Sequence, residues 1–462
     1  MNMPTETVID RIDQPGPIFN RAIDENLDGY VEEEFIAAGV ANDYAYLDDL
    51  ETVVAAEANV PWRTRFVVRR PPQPHRSNGT VVIEWLNPTA AWDGTPIWDL
   101  THEEITRSGM TWVGVTIKPV ALEFLMGGER NPFGLRPTPE IAARYADLDL
   151  FMGRRDDFSG EGLAWDMMNQ ITAYLRNTEV AEHPLRGFPV DHVMQAGYSQ
   201  SAGYLITHAN EFHQRTTDSY FIAAGGGAHQ ITFNDPGYEW PDPRAALDEI
   251  SGVPIVRLQS ETEIVAFGRT VNLRPAAPQR WFRWWEVAGG AHAPIEPGEA
   301  KGRRDVVGFD GFGDCAKPFP QRPGHEAVQT RFVAHSTLRH LQQWERTAPP
   351  PNHVLHVADV PEEGFVELQR DATGNALGGV RLPAVEVPVA TYSGTNTGSD
   401  FCYLFGAVTR FDDRTLARLY PSHAFYVRKV EAAIQRALAE GFLLSEDAEI
   451  LRGQAANARA IG

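Results

Sequence analysis

The 462-residue chain is 43% hydrophobic and 10% aromatic, a composition that supports a large core, excludes global disorder, and suits one large domain with additions or two to three average ones. Its 62 acidic and 41 basic residues give a net charge of −21, which argues against nucleic acid or an anionic membrane surface as the main partner, since both require clustered positive charge. The opening MNMPTETVID has no basic or apolar leader segment, and no uncharged apolar run approaches the ~18 residues of a membrane span, so a soluble, cytoplasmic protein is the expectation.

Residues 1–60 are acidic and mixed and read as an N-terminal extension. Beyond them, short β-branched and aromatic runs alternate with helical spacing. Strands are predicted over 64–70 (TRFVVRR), closed by Pro71-Pro72, and over 80–86 (TVVIEWL), closed by Asn87-Pro88. A helix over 101–108 precedes a strand over 110–117 (MTWVGVTI). Leu163, Met167, Ile171 and Tyr174 place a helix over 161–176. A strand over 190–196 runs into a helix over 201–212, and further strands are expected at 219–224, 253–258 and 281–287. This alternation predicts an α/β fold, a mostly parallel central sheet with helices on both faces. After Val287 the pattern changes to a long helix over 326–345, a proline-rich link at 347–354, strand-like pieces in 360–389 and a helical stretch over 416–444. The expected organisation is therefore an extension (1–60), a core (61–345) with inserted lid segments, and a C-terminal region (346–462) packing on that core.

The junction at 197–201 reads Gly-Tyr-Ser-Gln-Ser. A nucleophilic serine on a tight strand-to-helix turn needs a small residue two places before it and usually another two places after, because larger side chains would clash. Gly197 and Ser201 meet that demand around Ser199. The alternative is a helix N-cap by Ser199 or Ser201. A serine hydroxyl needs a histidine to take its proton and a carboxylate to orient the histidine. In this kind of sheet they follow in the order serine, acid, histidine, each just past a strand. The strand ending at Leu258 is followed by Gln-Ser-Glu-Thr-Glu, where Glu263 is the preferred acid and Glu261 the alternative, with Asp235 and Asp242 weaker. The strand ending at Val287 is followed by Ala-Gly-Gly-Ala-His-Ala-Pro, which makes His292 the candidate base. The tetrahedral oxyanion would be held by the backbone N–H of Gln200 and by the loop after Leu86, where Pro88 has no N–H, Thr89 is the better backbone donor and the Asn87 side chain is the other candidate.

With these parts in view, the chain resembles the alpha/beta hydrolase domain-containing proteins of bacteria and fungi. The likeness lies in GYVEEEFIAAGVANDY (29–44), NGTVVIEWLNPTA (78–90), GMTWVGVTIK (109–118), GYSQSAGYL (197–205), QSETEI (259–264), GGAHA (289–293) and RTLARLYPSHAFYVRKV (414–430). The resemblance implies an α/β-hydrolase fold, with Ser199 as nucleophile, Glu263 as acid and His292 as base. It also departs from what is expected at Tyr198, at Thr116-Ile117-Lys118 and at GGGAHQ (225–230), which points to a substrate preference of its own.

The resulting expectation is a serine hydrolase that cleaves a carboxylic ester or lactone of a small molecule through an acyl-enzyme, with no cofactor, no metal and no nucleic-acid or membrane partner. The alternatives are an acyltransferase with the same triad and a non-catalytic binding protein on the same fold. Tyr198, Trp92 and Trp98 are candidate pocket residues, with core packing as the competing role. Segments 121–160, 228–252 and part of 346–410 are candidate lid or pocket walls because they are long and irregular. Glu84, inside an apolar strand, is expected to bond to a nearby loop or an arginine. His335 and His340 are five apart, which does not suit a metal pair on one helical face. GFDGFGDC (308–315) reads as a plain loop, and Cys315 and Cys402 are left unassigned, since their spacing does not say whether they pair.

Overall fold

The computed structural model describes residues 7–20, 27–47, 52–128, 135–153, 160–180, 182–227, 252–267, 270–293, 315, 330–362, 364–398 and 400–458. The chain divides into two compact units, Met1–Pro254 with Gly298–Asp310, and Ile255–Pro297 with Gly311–Gly462.

The first unit is built on strands β1 (Val8–Arg11), β2 (Val31–Tyr46), β3 (Val53–Arg70), β4 (Thr80–Trp85), β5 (Thr111–Val115), β6 (Phe151–Met152), β7 (His192–Tyr198) and β8 (Ser219–Ala223). Their order is β1-β2-β3-β5-β4-β7-β8, with β6 beside β3. β5, β4, β7 and β8 run parallel, so the α/β expectation holds for the central strands. Both faces of such strands are covered, and β4, β5 and β8 are buried at every position.

The long antiparallel ribbon β2–β3 was not legible in the sequence as strands before Thr64. β2 opens on Val-Glu-Glu-Glu, an acidic run that reads as surface. In the ribbon Glu32 stands opposite Arg69 and is ion-paired with it at 2.7 Å. Glu33 pairs with Arg70 and Glu34 with Arg65. The acids of β2 are thus neutralised by the bases of β3, which lets a charged run lie inside a sheet.

Helices connect the parallel strands. The helix predicted over 101–108 begins earlier, at Pro96, and ends at Ser108 on Gly109. The reason is Glu84, whose carboxylate accepts the N–H groups of Ile97 and Trp98 at 2.9 Å each, caps the first turn from inside the core, and takes the Trp112 Nε1 proton at 2.8 Å. Burial pushes its pKa up to about 7 against these donors. The predicted helix over 161–176 is present as a short 3-10 turn and the helix Ala164–Arg176.

The second unit holds the parallel pair β9 (Ile255–Ser260) and β10 (Phe282–Val287), in register from Ile255–Phe282 to Ser260–Val287. Here the long predicted helix is two pieces, Thr330–Gln342 and Trp344–Thr347. The helical stretch 416–444 is likewise split, into Asp413–Leu419 and His423–Glu440, and a further helix, Ser445–Asn457, follows. These close on an apolar cluster of Phe332, Tyr420, Tyr426, Val430, Ile434 and Leu451. Of the strand-like stretch 360–389, Glu367–Leu368 is a strand, and it pairs with Val357–Asp359, just before that stretch. Cys315 and Cys402 are joined in a disulfide. His335 bonds Asp447 at 3.0 Å and His340 bonds the Gly441 carbonyl at 2.8 Å, so each ties one helix to another segment of this unit. Among the described residues no helix is long and apolar enough to cross a membrane.

Candidate active site

The serine turn belongs to the first unit. β7 ends at Tyr198 and the helix Gln200–Thr207 starts immediately, so the whole reversal falls on Ser199. Its backbone is at φ 57° and ψ −117°, a conformation that costs a non-glycine residue ~1–3 kcal/mol and persists only where the surroundings enforce it. The enforcement is visible. The Ser199 N–H donates to the Ala223 carbonyl at the end of β8 at 3.0 Å, and its carbonyl accepts from Ala202 and Gly203. Gly197 has no room for a side chain, because a Cβ there would lie 2.8 Å from the Ser201 carbonyl oxygen. Gly225 approaches the same helix, and a Cβ on it would lie 2.7 Å from the Ala202 Cβ.

The N-cap alternative does not describe this turn. Ser199 makes no side-chain cap bond, although it occupies the cap position. Ser201 is fully buried, and its hydroxyl donates to the Tyr198 carbonyl at 3.0 Å and accepts the Tyr198 N–H at 3.3 Å. Its small size and its hydroxyl both serve to close the turn. Gln200 opens the helix, so its N–H has no carbonyl four residues back within the helix to bond.

The loop after β4 is closed on itself. Asn87 and Gly94 exchange two backbone hydrogen bonds, at 2.9 and 2.8 Å. The Asn87 Nδ2 donates to the Tyr198 carbonyl at 2.7 Å, which ties this loop to the serine turn. The Thr89 N–H, read from sequence as the second oxyanion donor, donates instead to Asn87 Oδ1 at 2.9 Å. That is the local turn an asparagine makes with the N–H two residues on. Among the pocket candidates, Tyr198 and Trp92 are buried to 7% and 9% exposure, and the Trp92 ring lies 5.9 Å from Phe124. Trp98 is an interior residue, packed under the Arg69 guanidinium at 4.5 Å and against Trp112 at 5.5 Å.

The acid–histidine pair belongs to the second unit. β9 ends at Ser260, where the helix Glu261–Ala266 begins with a reciprocal cap: the Ser260 hydroxyl accepts from the Thr262 N–H, and the Glu263 carboxylate accepts the Ser260 N–H. This cap fixes the Glu263 rotamer and leaves its other oxygen 2.6 Å from His292 Nδ1. Both side chains are buried. The rival acid is engaged elsewhere: Glu261 is ion-paired with Arg370 at 2.7 Å and accepts the Gly289 N–H at 2.7 Å. A Ser-x-x-Glu spacing is itself a sequence signature of a reciprocal cap, and it singles out Glu263 over Glu261 without any structure.

His292 is held on several sides. Its N–H donates to Thr262 Oγ1 at 2.9 Å, the next residue's N–H donates to the Leu404 carbonyl at 2.9 Å, and the Phe267 ring meets the imidazole edge-on at 5.5 Å. A carboxylate at Nδ1 assigns the ring proton to that nitrogen, which makes Nε2 the basic one. Arg257 lies fully buried on β9 against the Trp284 ring at 4.5 Å; burial pulls its pKa down to about 9, and the Glu263 charge opposes that shift.

Among the described residues no three His, Cys, Asp or Glu side chains gather to hold a metal. Asp235, Asp242, residues 228–230 of GGGAHQ, residues 308–314 and nearly all of the lid candidate 228–252 lie outside the described residues, as do 129–134 and 154–159 of the lid candidate 121–160.

A family model described as alpha/beta hydrolase domain matches residues 4–452. No curated protein matches the sequence. Among solved structures, a CE15 glucuronoyl esterase from Teredinibacter turnerae T7901 is 11% identical over 64% of this chain and 76% of its own, at a TM-score of 0.32. A glucuronoyl esterase from Solibacter usitatus is 10% identical over 56% and 69%, at 0.29. An alpha-beta serine hydrolase homologue from Coxiella burnetii is 13% identical over 50% and 84%, at 0.27. At such TM-scores these likenesses carry no argument about this chain.

Proposed function

The chain belongs to the alpha/beta hydrolase domain family, and from that premise we propose that it is a serine hydrolase that cleaves a carboxylic ester or lactone of a small molecule. The observation that carries the reading is Ser199 itself, a non-glycine residue held at φ 57° with no capping task for its side chain. Strain of that kind persists where a side chain must be presented rather than packed.

In this reading Ser199 Oγ attacks the substrate carbonyl carbon while His292 Nε2 takes the hydroxyl proton. Glu263 holds the imidazole by Nδ1 and stabilises the imidazolium that forms. The carbonyl oxygen, now an oxyanion, is met by the Gln200 N–H. The second donor is the remaining hydrogen of the Asn87 amide, since Tyr198 takes only one of its two. The tetrahedral species collapses, the C–O bond to the leaving alcohol breaks, and His292 returns its proton to that oxygen. Water then attacks the acyl-enzyme with His292 as base, releasing the carboxylic acid and restoring the serine hydroxyl.

A fluorophosphonate probe tests this directly. Wild type is expected to be labelled, at Ser199, and Ser199→Ala is not. An unlabelled wild type, or equal labelling of the two, removes the serine-hydrolase reading.

A further inference from the structure

We infer that buried Asp93, held by Arg65 and Thr116, is a positioning residue for the loop that carries Asn87; this rests on the reading of that loop as the oxyanion loop. Asp93 directly precedes Gly94, the residue whose backbone pairs with Asn87 and shuts the loop. Its carboxylate is 1% exposed. One oxygen takes Arg65 Nη1 at 2.7 Å and the Thr116 hydroxyl at 2.5 Å. Its carbonyl accepts the Asn20 side-chain amide.

The anchor has its own foundations. Arg65 Nε is bonded to Glu34 at 2.6 Å and Arg65 Nη2 to the Phe19 carbonyl at 2.9 Å. Glu34 is in turn held by Arg144 at 2.8 Å and by the Tyr145 hydroxyl at 2.6 Å. Two acids and two arginines therefore balance in charge inside the first unit, and residues 19–20 and 34, which precede the parallel strands, reach the loop through them.

Stability alone is a poor reason for such a network. Taking four charges out of water costs about what their mutual attraction returns, and apolar replacements of similar volume are often neutral or stabilising. What the guanidinium does supply is direction: its bonds to Glu34 and the Phe19 carbonyl fix its own plane, and Asp93 is then held at one oxygen by Arg65 Nη1 and the Thr116 hydroxyl together. Fixing Asp93 fixes the Gly94 peptide, and the Gly94 peptide fixes Asn87. An amide aimed at an oxyanion loses much of its effect for shifts near 1 Å.

The test is Thr116→Val, which removes one bond to Asp93 in a side chain of the same shape and leaves the ion pairs whole. It is compared with Thr116→Ser, Asn87→Ala and the double variant Thr116→Val/Asn87→Ala. Hydrolysis of p-nitrophenyl acetate, the rate of fluorophosphonate labelling and the thermal midpoint are followed in each. The expected result is a roughly tenfold fall in kcat and in labelling rate for Thr116→Val with little change in KM, near-complete recovery in Thr116→Ser, and no additional loss when Thr116→Val is added to Asn87→Ala. The inference is overturned alone if wild type is labelled at Ser199 but Thr116→Val is labelled as fast, or if its effect adds in full to that of Asn87→Ala. It falls together with the serine-hydrolase reading if wild type is not labelled at all.

Discussion

His292 Nδ1 lies 2.6 Å from Glu263 Oε1, and the second oxygen of the same carboxylate is bonded to the Ser260 N–H at the start of its own helix. One glutamate thus both caps a helix and orients a histidine. The neighbouring acid, Glu261, two residues earlier, serves Arg370 and Gly289 instead.

That division of labour separates the two acids in activity. Glu263→Gln is expected to lower kcat by about 10³–10⁴, because an amide at Nδ1 favours the wrong imidazole tautomer. Glu261→Gln is expected to keep kcat within about tenfold while lowering thermal stability slightly, since it removes the charge that a buried carboxylate offers to the partly exposed Arg370. Steady-state kinetics and a thermal melt on both variants check this. Equal losses of kcat would contradict it.

The strain at Ser199 predicts a trade between stability and activity. Ser199→Gly relieves the left-handed backbone and is expected to stabilise the protein by about 1 kcal/mol while abolishing fluorophosphonate labelling. Chemical denaturation compared with Ser199→Ala, which keeps the Cβ, isolates the backbone contribution. A Gly variant no more stable than the Ala variant would show that the turn is unstrained.

Gly197 is expected to tolerate no side chain. Its Cβ would meet the Ser201 carbonyl at 2.8 Å, a backbone atom that cannot swing aside. Gly197→Ala should therefore destabilise by roughly 1–3 kcal/mol and reduce the labelling rate, as the helix is pushed from the strand. A fully stable and active variant would refute the close approach.

Acid sensitivity should trace in part to His208. It is fully buried between the Tyr220 hydroxyl and Asn169 Oδ1, each at 3.0 Å, and burial, with His213 adding to it, pulls its pKa down to about 3. The folded state therefore holds His208 neutral where an unfolded histidine, near 6.5, takes up a proton. Its contribution is fully present above pH 6.5 and is lost as pH falls toward 3. Glu84 runs the other way, because its raised pKa favours the folded state at low pH. The comparison of wild type with His208→Gln cancels that term. Urea midpoints between pH 4 and 7 should show a slope shallower by about one proton in the variant, and parallel slopes would exclude His208.

The Cys315–Cys402 disulfide bridges positions 87 apart. Its reduction is expected to destabilise the second unit by about 2–4 kcal/mol, read as a lower denaturant midpoint in a phosphine reductant. Thiol titration of the native, unreduced protein should return no free cysteine. Two reactive thiols would disprove the bond.

Local chemistry determined much of this from the sequence alone. Short β-branched runs closed by prolines and glycines marked the parallel strands, and Gly197 with Ser201 marked the turn on Ser199, because those signals depend only on neighbours along the chain. Three features depended on residues brought together from far apart. The acidic start of β2 became a strand only because Arg65, Arg69 and Arg70 stand across from it. The helix after β4 starts at Pro96 because Glu84, buried on β4 itself, caps its first turn. Glu263 reaches His292, 29 positions further along the chain, because a donor or acceptor goes to whichever partner the fold brings within about 3 Å. Sequence spacing lists the groups able to bond; burial in the folded chain excludes water as a competitor and thereby decides which of them do.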